Sequence, residues 1–156
     1  MFGGTVLTYD PLGRLWSLSS PAWGKTQFVY DRGQVAVEYD GDTGGVRRRC
    51  FWGLGVDETV LQDEGGAMNC TGTKVLHGDE RGSIGGVADC NGNRTNANTY
   101  DDYGSGASGN WGRYQYTGQA WLQELGLYTY KNRMYSARLG RFMQTDPIGY
   151  DNGRNW

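Results

Sequence analysis

The chain is poor in the residues that catalysis uses most. Its 156 residues include one histidine, three cysteines and three prolines. One histidine, His77, leaves one candidate for a general base that titrates near neutrality. In the string LHGDERGS it stands at a strand end, which reads as a structural position. No serine sits in G-x-S-x-G, which excludes a nucleophile elbow. The absence of G-x-x-x-x-G-K-[ST] excludes a P-loop. No run of about 18 apolar residues is present, so no helical membrane span is expected. The start, MFGGTVLTYD, lacks the charged and apolar regions of a signal peptide. Net charge is −2, which gives no electrostatic case for nucleic acid or an anionic membrane. The only basic run, Arg47-Arg48-Arg49, reads as a solvated strand or an edge.

The cysteines, Cys50, Cys70 and Cys90, are evenly spaced, and His77 would make a fourth ligand. No C-x-x-C pair is present, and zinc sites are usually built on such pairs. The spacing reads instead as a repeat of that length, with cysteine at chance positions in it. No metal, no cofactor and no structural disulfide are expected. The chain should then fold alike with chelator, and with or without reductant. Cys90, in an apparent turn, would be exposed and oxidisable.

What the chain has in quantity is glycine (27), tyrosine (11) and tryptophan (6). This composition favours short strands and tight turns. With 37% apolar residues and a mean hydropathy of −0.67, a thin ribbon is expected rather than a thick core. Strands are predicted at Thr5–Tyr9, Arg14–Leu18, Lys25–Tyr30, Gln34–Tyr39, Val46–Trp52, Glu58–Gln62, Thr73–His77, Ser83–Val87 and Asn93–Tyr100. Asp31-Arg32-Gly33 joins two of them as a hairpin. Gly104–Gly109 is a flexible loop, and Gln119–Leu125 and Ala137–Met143 could each form a short helical turn.

Asp-x-x-Gly begins at Asp10, Asp42, Asp63, Asp79, Asp89, Asp101 and Asp146, seven of the twelve aspartates. The aspartate accepts from a backbone N–H two residues on, and glycine takes the positive φ at the exit. The turn pairs singled out are Asp10 with Gly13, Asp89 with Gly92, Asp101 with Gly104 and Asp146 with Gly149. Tyr9, Tyr30, Tyr39 and Tyr100 each precede an aspartate. Their spacing gives a repeat near 20 residues, as in a stacked ribbon of hairpins. The expected fold class is all-β, a ribbon of antiparallel hairpins with little helix.

The most specific stretch is Arg113–Gly149, RYQYTGQAWLQELGLYTYKNRMYSARLGRFMQTDPIG. With LTYDPLGRL, VYDRG, EYDGDTG, FWGLGVDE, LHGDERGSI and DCNGNRTNANTYDDYG upstream, in that order, the chain resembles Rhs/YD-repeat proteins and their core-associated region. The resemblance runs from about Thr5 to Trp156. It implies YD-repeat-like hairpins over 1–112 and a core-associated end segment over 113–156. It further implies a structural β-shell segment of a polymorphic toxin, enclosing a C-terminal toxin. Its partners would be the rest of the shell and that toxin. It would be made in the bacterial cytoplasm and exported as part of a larger protein.

The family pattern also includes an aspartyl self-cleavage site. Asp146-Pro147-Ile148-Gly149 matches one D-P-x-G motif, a half-site with Asp146 as its catalytic acid. The second motif would lie beyond Trp156, Tyr150 stands where leucine is frequent, and Ser136 where relatives carry aspartate. No catalysis is therefore expected from this chain, and Asp151 and Glu124 are the remaining candidates for a second acid. The isolated chain, a natural remnant or an excised piece, should self-associate. Two other readings stay open: a cell-surface or carbohydrate-binding module, and part of an autoprotease.

Overall fold

The computed structural model describes residues 4–145. Nine strands follow one another in a single antiparallel meander: β1 (Val6–Tyr9), β2 (Leu15–Ser20), β3 (Gly24–Asp31), β4 (Gln34–Asp40), β5 (Val46–Trp52), β6 (Thr59–Glu64), β7 (Thr73–Gly78), β8 (Ile84–Ala88) and β9 (Arg94–Ala97). Each pairs only with its sequence neighbours, so β1 and β9 are the outer strands. A second meander of four strands follows: β10 (Ala120–Leu122), β11 (Leu127–Tyr130), β12 (Arg133–Ser136) and β13 (Arg141–Phe142). The fold is all-β. Single 3-10 turns occur at Tyr116–Gly118 and Ala137–Leu139. The helical turn considered over Gln119–Leu125 is instead β10 and the turn after it, because Ala120–Leu122 pairs with Leu127–Thr129.

Local chemistry sets the turns. Asp31 pairs with Gln34 across a two-residue loop. Arg32 and Gly33 both have positive φ, 48° and 85°, the type I′ geometry that matches strand twist. At Asp10, Asp79, Asp89 and Asp101 one arrangement recurs. The aspartate carbonyl accepts from the N–H of the glycine three residues on, at 2.9 to 3.1 Å. Its Oδ1 accepts from the N–H groups two and four residues on, at 2.8 to 2.9 Å. The closing glycines, Gly13, Gly82, Gly92 and Gly104, have φ of 77° to 86°, which explains the residue type. Gly104 has a second reason: a Cβ there would run into the Tyr116 ring.

Two Asp-x-x-Gly sequences do not make this turn. At Asp42 the work is done by Asp40, whose Oδ1 accepts from Asp42 and Thr43 N–H. Asp63 is fully buried in β6, and its Oδ1 accepts from Met68 N–H and the Thr73 hydroxyl.

The tyrosines before aspartate carry the repeat. The Tyr30 hydroxyl donates to Leu15 O at 2.8 Å, and the Tyr100 hydroxyl donates to Ile84 O at 2.8 Å. Leu15 and Ile84 each lie five residues after a turn aspartate, Asp10 and Asp79. Each tyrosine thus ties its strand end to the preceding hairpin at an equivalent place. Burial pushes both phenols up to about 12, so the bonds persist across the physiological range.

The nine-stranded sheet is not a bare ribbon, because the chain covers one of its faces with its own second half. Leu15, Leu18 and Phe28 from β2 and β3 pack against Leu122, Leu127 and Met134 of the second sheet. Cys50 of β5 packs with Tyr114 and Ala120. Leu76, Ile84 and Val87 of β7 and β8 receive Trp111. Each fully buried leucine contributes about 1.5–3 kcal/mol, so this layer stabilises both sheets. The expectation of a thin ribbon is corrected to that extent.

Cys70 and Cys90 are disulfide-bonded, with Cα atoms 5.2 Å apart. This overturns the reading of all three cysteines as chance occupants of a repeat. Val75 pairs with Ala88, so the loop before β7 and the turn after β8 leave the same end of one hairpin. A spacing of 20 residues there means adjacency. Cys50 is free and buried, and burial pushes its thiol up to about 12, which makes it unreactive. His77 is exposed on β7. Among the described residues no group of three or more His, Cys, Asp or Glu could hold a metal.

Candidate functional site

Between the two sheets lies a chain of alternating charges. Register builds half of it: Glu38 of β4 stands opposite Arg48 of β5, and Arg48 opposite Glu64 of β6. Arg48 donates to both oxygens of Glu64, Nε at 2.7 Å and Nη2 at 3.0 Å. It also donates to Glu38 Oε2 at 2.7 Å. The other half arrives from the second part of the chain. Arg113 clamps Glu38 bidentately, Nε to Oε1 and Nη2 to Oε2, both at 2.9 Å. It also donates to both oxygens of Glu124 at 3.2 Å and to Trp121 O at 3.0 Å. The Arg113 backbone N–H donates to Gln62 Oε1 at 2.9 Å.

Glu38 is 1% exposed and Arg113 7%, so the partners are fixed by desolvation. Burial raises the Glu38 carboxyl, but Arg113 and then Arg48 more than offset it, and its pKa ends below the ordinary value. For Arg113 burial works against the charge, while Glu38 and Glu124 raise its pKa above the ordinary arginine value. Glu38, Arg48, Glu64, Arg113 and Glu124 thus form one hydrogen-bonded unit, buried at Glu38 and Arg113 and open to solvent at Glu64.

The basic run is thus not a solvated edge. Strand β5 is interior, Arg48 is the centre of this unit, and Arg47 pairs with Asp40. Arg49 donates to Gly66 O. The Arg47 guanidinium, then the Thr43 N–H, hold the Asp40 carboxyl far below the usual range. A second polar tie lies beside the first. Asp57 in the β5–β6 loop accepts from Gln34 at 2.8 Å and Gln119 at 2.9 Å, and pairs with Lys131 at 2.9 Å.

Over the charge chain opens a cleft of about 660 Å³. Its floor includes Arg48 and Glu64. One wall is the 105–115 segment with Trp111, and the other carries Trp121, Gln123 and Arg138. Trp121 packs on Tyr128 at 4.8 Å between ring centres. Tyr128 is buried and its hydroxyl donates to Gly104 O at 3.0 Å.

Of the residues singled out in the sequence, Asp10, Asp89 and Asp101 have carboxyls below the ordinary value. For Asp89 and Asp101 the leading causes are backbone N–H bonds from Asn93 and Ser105. For Asp10, slight burial is outweighed by Arg14. These aspartates serve turns, and they lie apart from the cleft. Asp146, Gly149 and Asp151 lie outside the described residues. Glu124, the other candidate second acid, has both oxygens engaged by Arg113.

The network and the cleft were missed from sequence. The available signal was Glu38 between Val37 and Tyr39, opposite a strand bearing three arginines. Reading it requires the strand register.

No family model matches the chain, and no curated protein matches it. Solved structures do. Against the crystal structure of TcdB2-TccC3-TEV the TM-score is 0.70 at 17% identity, covering 96% of this chain and 8% of that one. The structure of the Photorhabdus luminescens Tc holotoxin pore, with a mutated TccC3, gives 0.56 at 16% identity, covering 96% and 9%. TcdB2-TccC3 without its hypervariable C-terminal region gives 0.55 at 16% identity, again covering 96% and 9%. The chain therefore spans less than a tenth of the length of these neighbours. Almost all of it has the fold of one short stretch of Tc toxin chains, which supports the Rhs/YD-repeat resemblance at the level of fold.

Proposed function

We propose that this chain is a structural wall segment of an Rhs-type β-shell, and that its partners are the remainder of such a shell and a toxin enclosed by it. The observation that carries this reading is the strictly sequential nine-stranded meander, matched over 96% of the chain to a small part of a much longer one. The equivalent Tyr30 and Tyr100 ties support a recurring unit within it. Such walls extend by adding strands to their outer edges. Here β1 is an outer strand, with Val6 59% exposed. The shell protein would be made in the cytoplasm and exported as a whole.

Unpaired outer strands seek partners. Sedimentation of the purified chain should show mass rising with concentration through the micromolar range. Val6→Lys and Thr8→Pro, which blunt β1, should reduce it. A compact monomer at high micromolar concentration would count against the shell-wall reading.

The chain is also proposed to perform no self-cleavage. An aspartyl mechanism needs two carboxyls sharing a proton, and Glu124 is committed to Arg113. Intact mass should stay unchanged after long incubation between pH 4 and 7. A cut away from the acid-labile Asp146–Pro147 bond, lost in Asp146→Asn, would promote the autoprotease reading.

A further inference from the structure

We propose that the cleft above the charge chain binds an oligosaccharide that carries a carboxylate, a uronic-acid-containing glycan. At about 660 Å³ it has the size of a small-ligand site. Arg48 and Arg113 are both engaged by Glu38, Glu64 and Glu124, two guanidiniums against three carboxylates, so the network itself offers no free positive charge. Arg138 is exposed, lines the cleft and has no ion-pair partner among the described residues. One uncommitted guanidinium suits one carboxylate held bidentately, and is too little for a polyphosphate.

The rest of the lining suits hydroxyls and sugar faces. Ser108 and Gln123 offer small neutral donors and acceptors at the rim. Trp111 and Trp121 are half-buried in the walls. Both rings are held in place, one by Leu76, Ile84 and Val87 and the other by Tyr128. A pyranose presents weakly polar C–H groups on one face, which suit the electron-rich face of a fixed indole. An extended peptide would dock by adding to a sheet edge. The β10 edge that reaches the cleft is already closed, because Trp121 N–H donates to Arg113 O and Ala120 bridges Tyr114. The proposal is independent of the shell reading.

The test is titration of the purified chain with hyaluronan tetrasaccharide, read by tryptophan fluorescence and calorimetry, with chitotetraose as the neutral probe and tetraglutamate as the acidic peptide. Saturable quenching by hyaluronan is expected. Arg138→Ala should weaken it by about tenfold, the loss of one charged contact. Chitotetraose should bind more weakly than hyaluronan and ignore that substitution. Trp121→Ala should abolish quenching, and Gln123→Ala, at the exposed rim, gives a variant whose fold is not at risk and whose affinity should also fall. No saturable signal from hyaluronan, unchanged affinity in Arg138→Ala and Gln123→Ala, or tighter binding of tetraglutamate would each overturn the proposal.

Discussion

Arg113→Ala should lower the unfolding free energy by about 3–5 kcal/mol, the usual consequence of removing one partner from a buried ion pair. Through this arginine the second half of the chain is held to Glu38 and Gln62 of the first. Without it Glu124 loses both N–H bonds that Arg113 donates, and Glu38 keeps only Arg48. Arg113→Lys keeps the charge but not the planar fork, so it should fall between wild type and alanine.

The same unit sets an acid dependence. Glu38 has a lower pKa folded than unfolded. Its contribution is therefore fully present above the unfolded carboxylate value of about 4.3 and is lost as pH falls through the folded value. Urea denaturation at several pH values should show stability falling below about pH 4, with a shallower fall in Arg113→Ala. Stability within about 0.5 kcal/mol of wild type in Arg113→Ala, the range of an ordinary surface substitution, would mean that the network holds nothing together.

Breaking the Cys70–Cys90 bond should have the next largest effect. Cross-linking a loop of this length constrains the unfolded chain by about 3 kcal/mol. For a chain of this size that is a fall in Tm of roughly 6–12 °C. It should appear both on adding reductant and in the Cys70→Ser, Cys90→Ser double variant, and reductant should not add to the double variant. Thiol titration of oxidised, denatured protein should find one free thiol, Cys50. Three free thiols in protein purified under air, or a Tm indifferent to reductant, would show that the turns are not joined. Such bonds persist in oxidising surroundings and are lost in reducing ones, so the staple contributes only in the former.

The strands were legible because period-two alternation and turn chemistry are local. Predicted Val46–Trp52 is β5 without change, and predicted Gln34–Tyr39 is β4 short of one residue. Asp10-Pro11-Leu12-Gly13 dictates its own turn through hydrogen bonds made within five residues. All-β character and the hairpin at Arg32-Gly33 follow from such contacts alone.

Everything that joins distant positions was decided by tertiary structure. Cys70 and Cys90 meet because β7 and β8 fold back on each other, a consequence of register that spacing does not display. Asp42 matches the turn motif yet yields to Asp40, which ends β4 and closes the loop through its own N–H, carbonyl and carboxylate. Arg48 looks like part of a solvated basic run until β4 and β6 flank it with glutamates. Arg113 sits 75 residues from Glu38, and only the folding of the second sheet over the first puts it there. An ion pair buried at that separation leaves no local pattern in sequence, because the favourable energy exists only once water has been excluded from both partners.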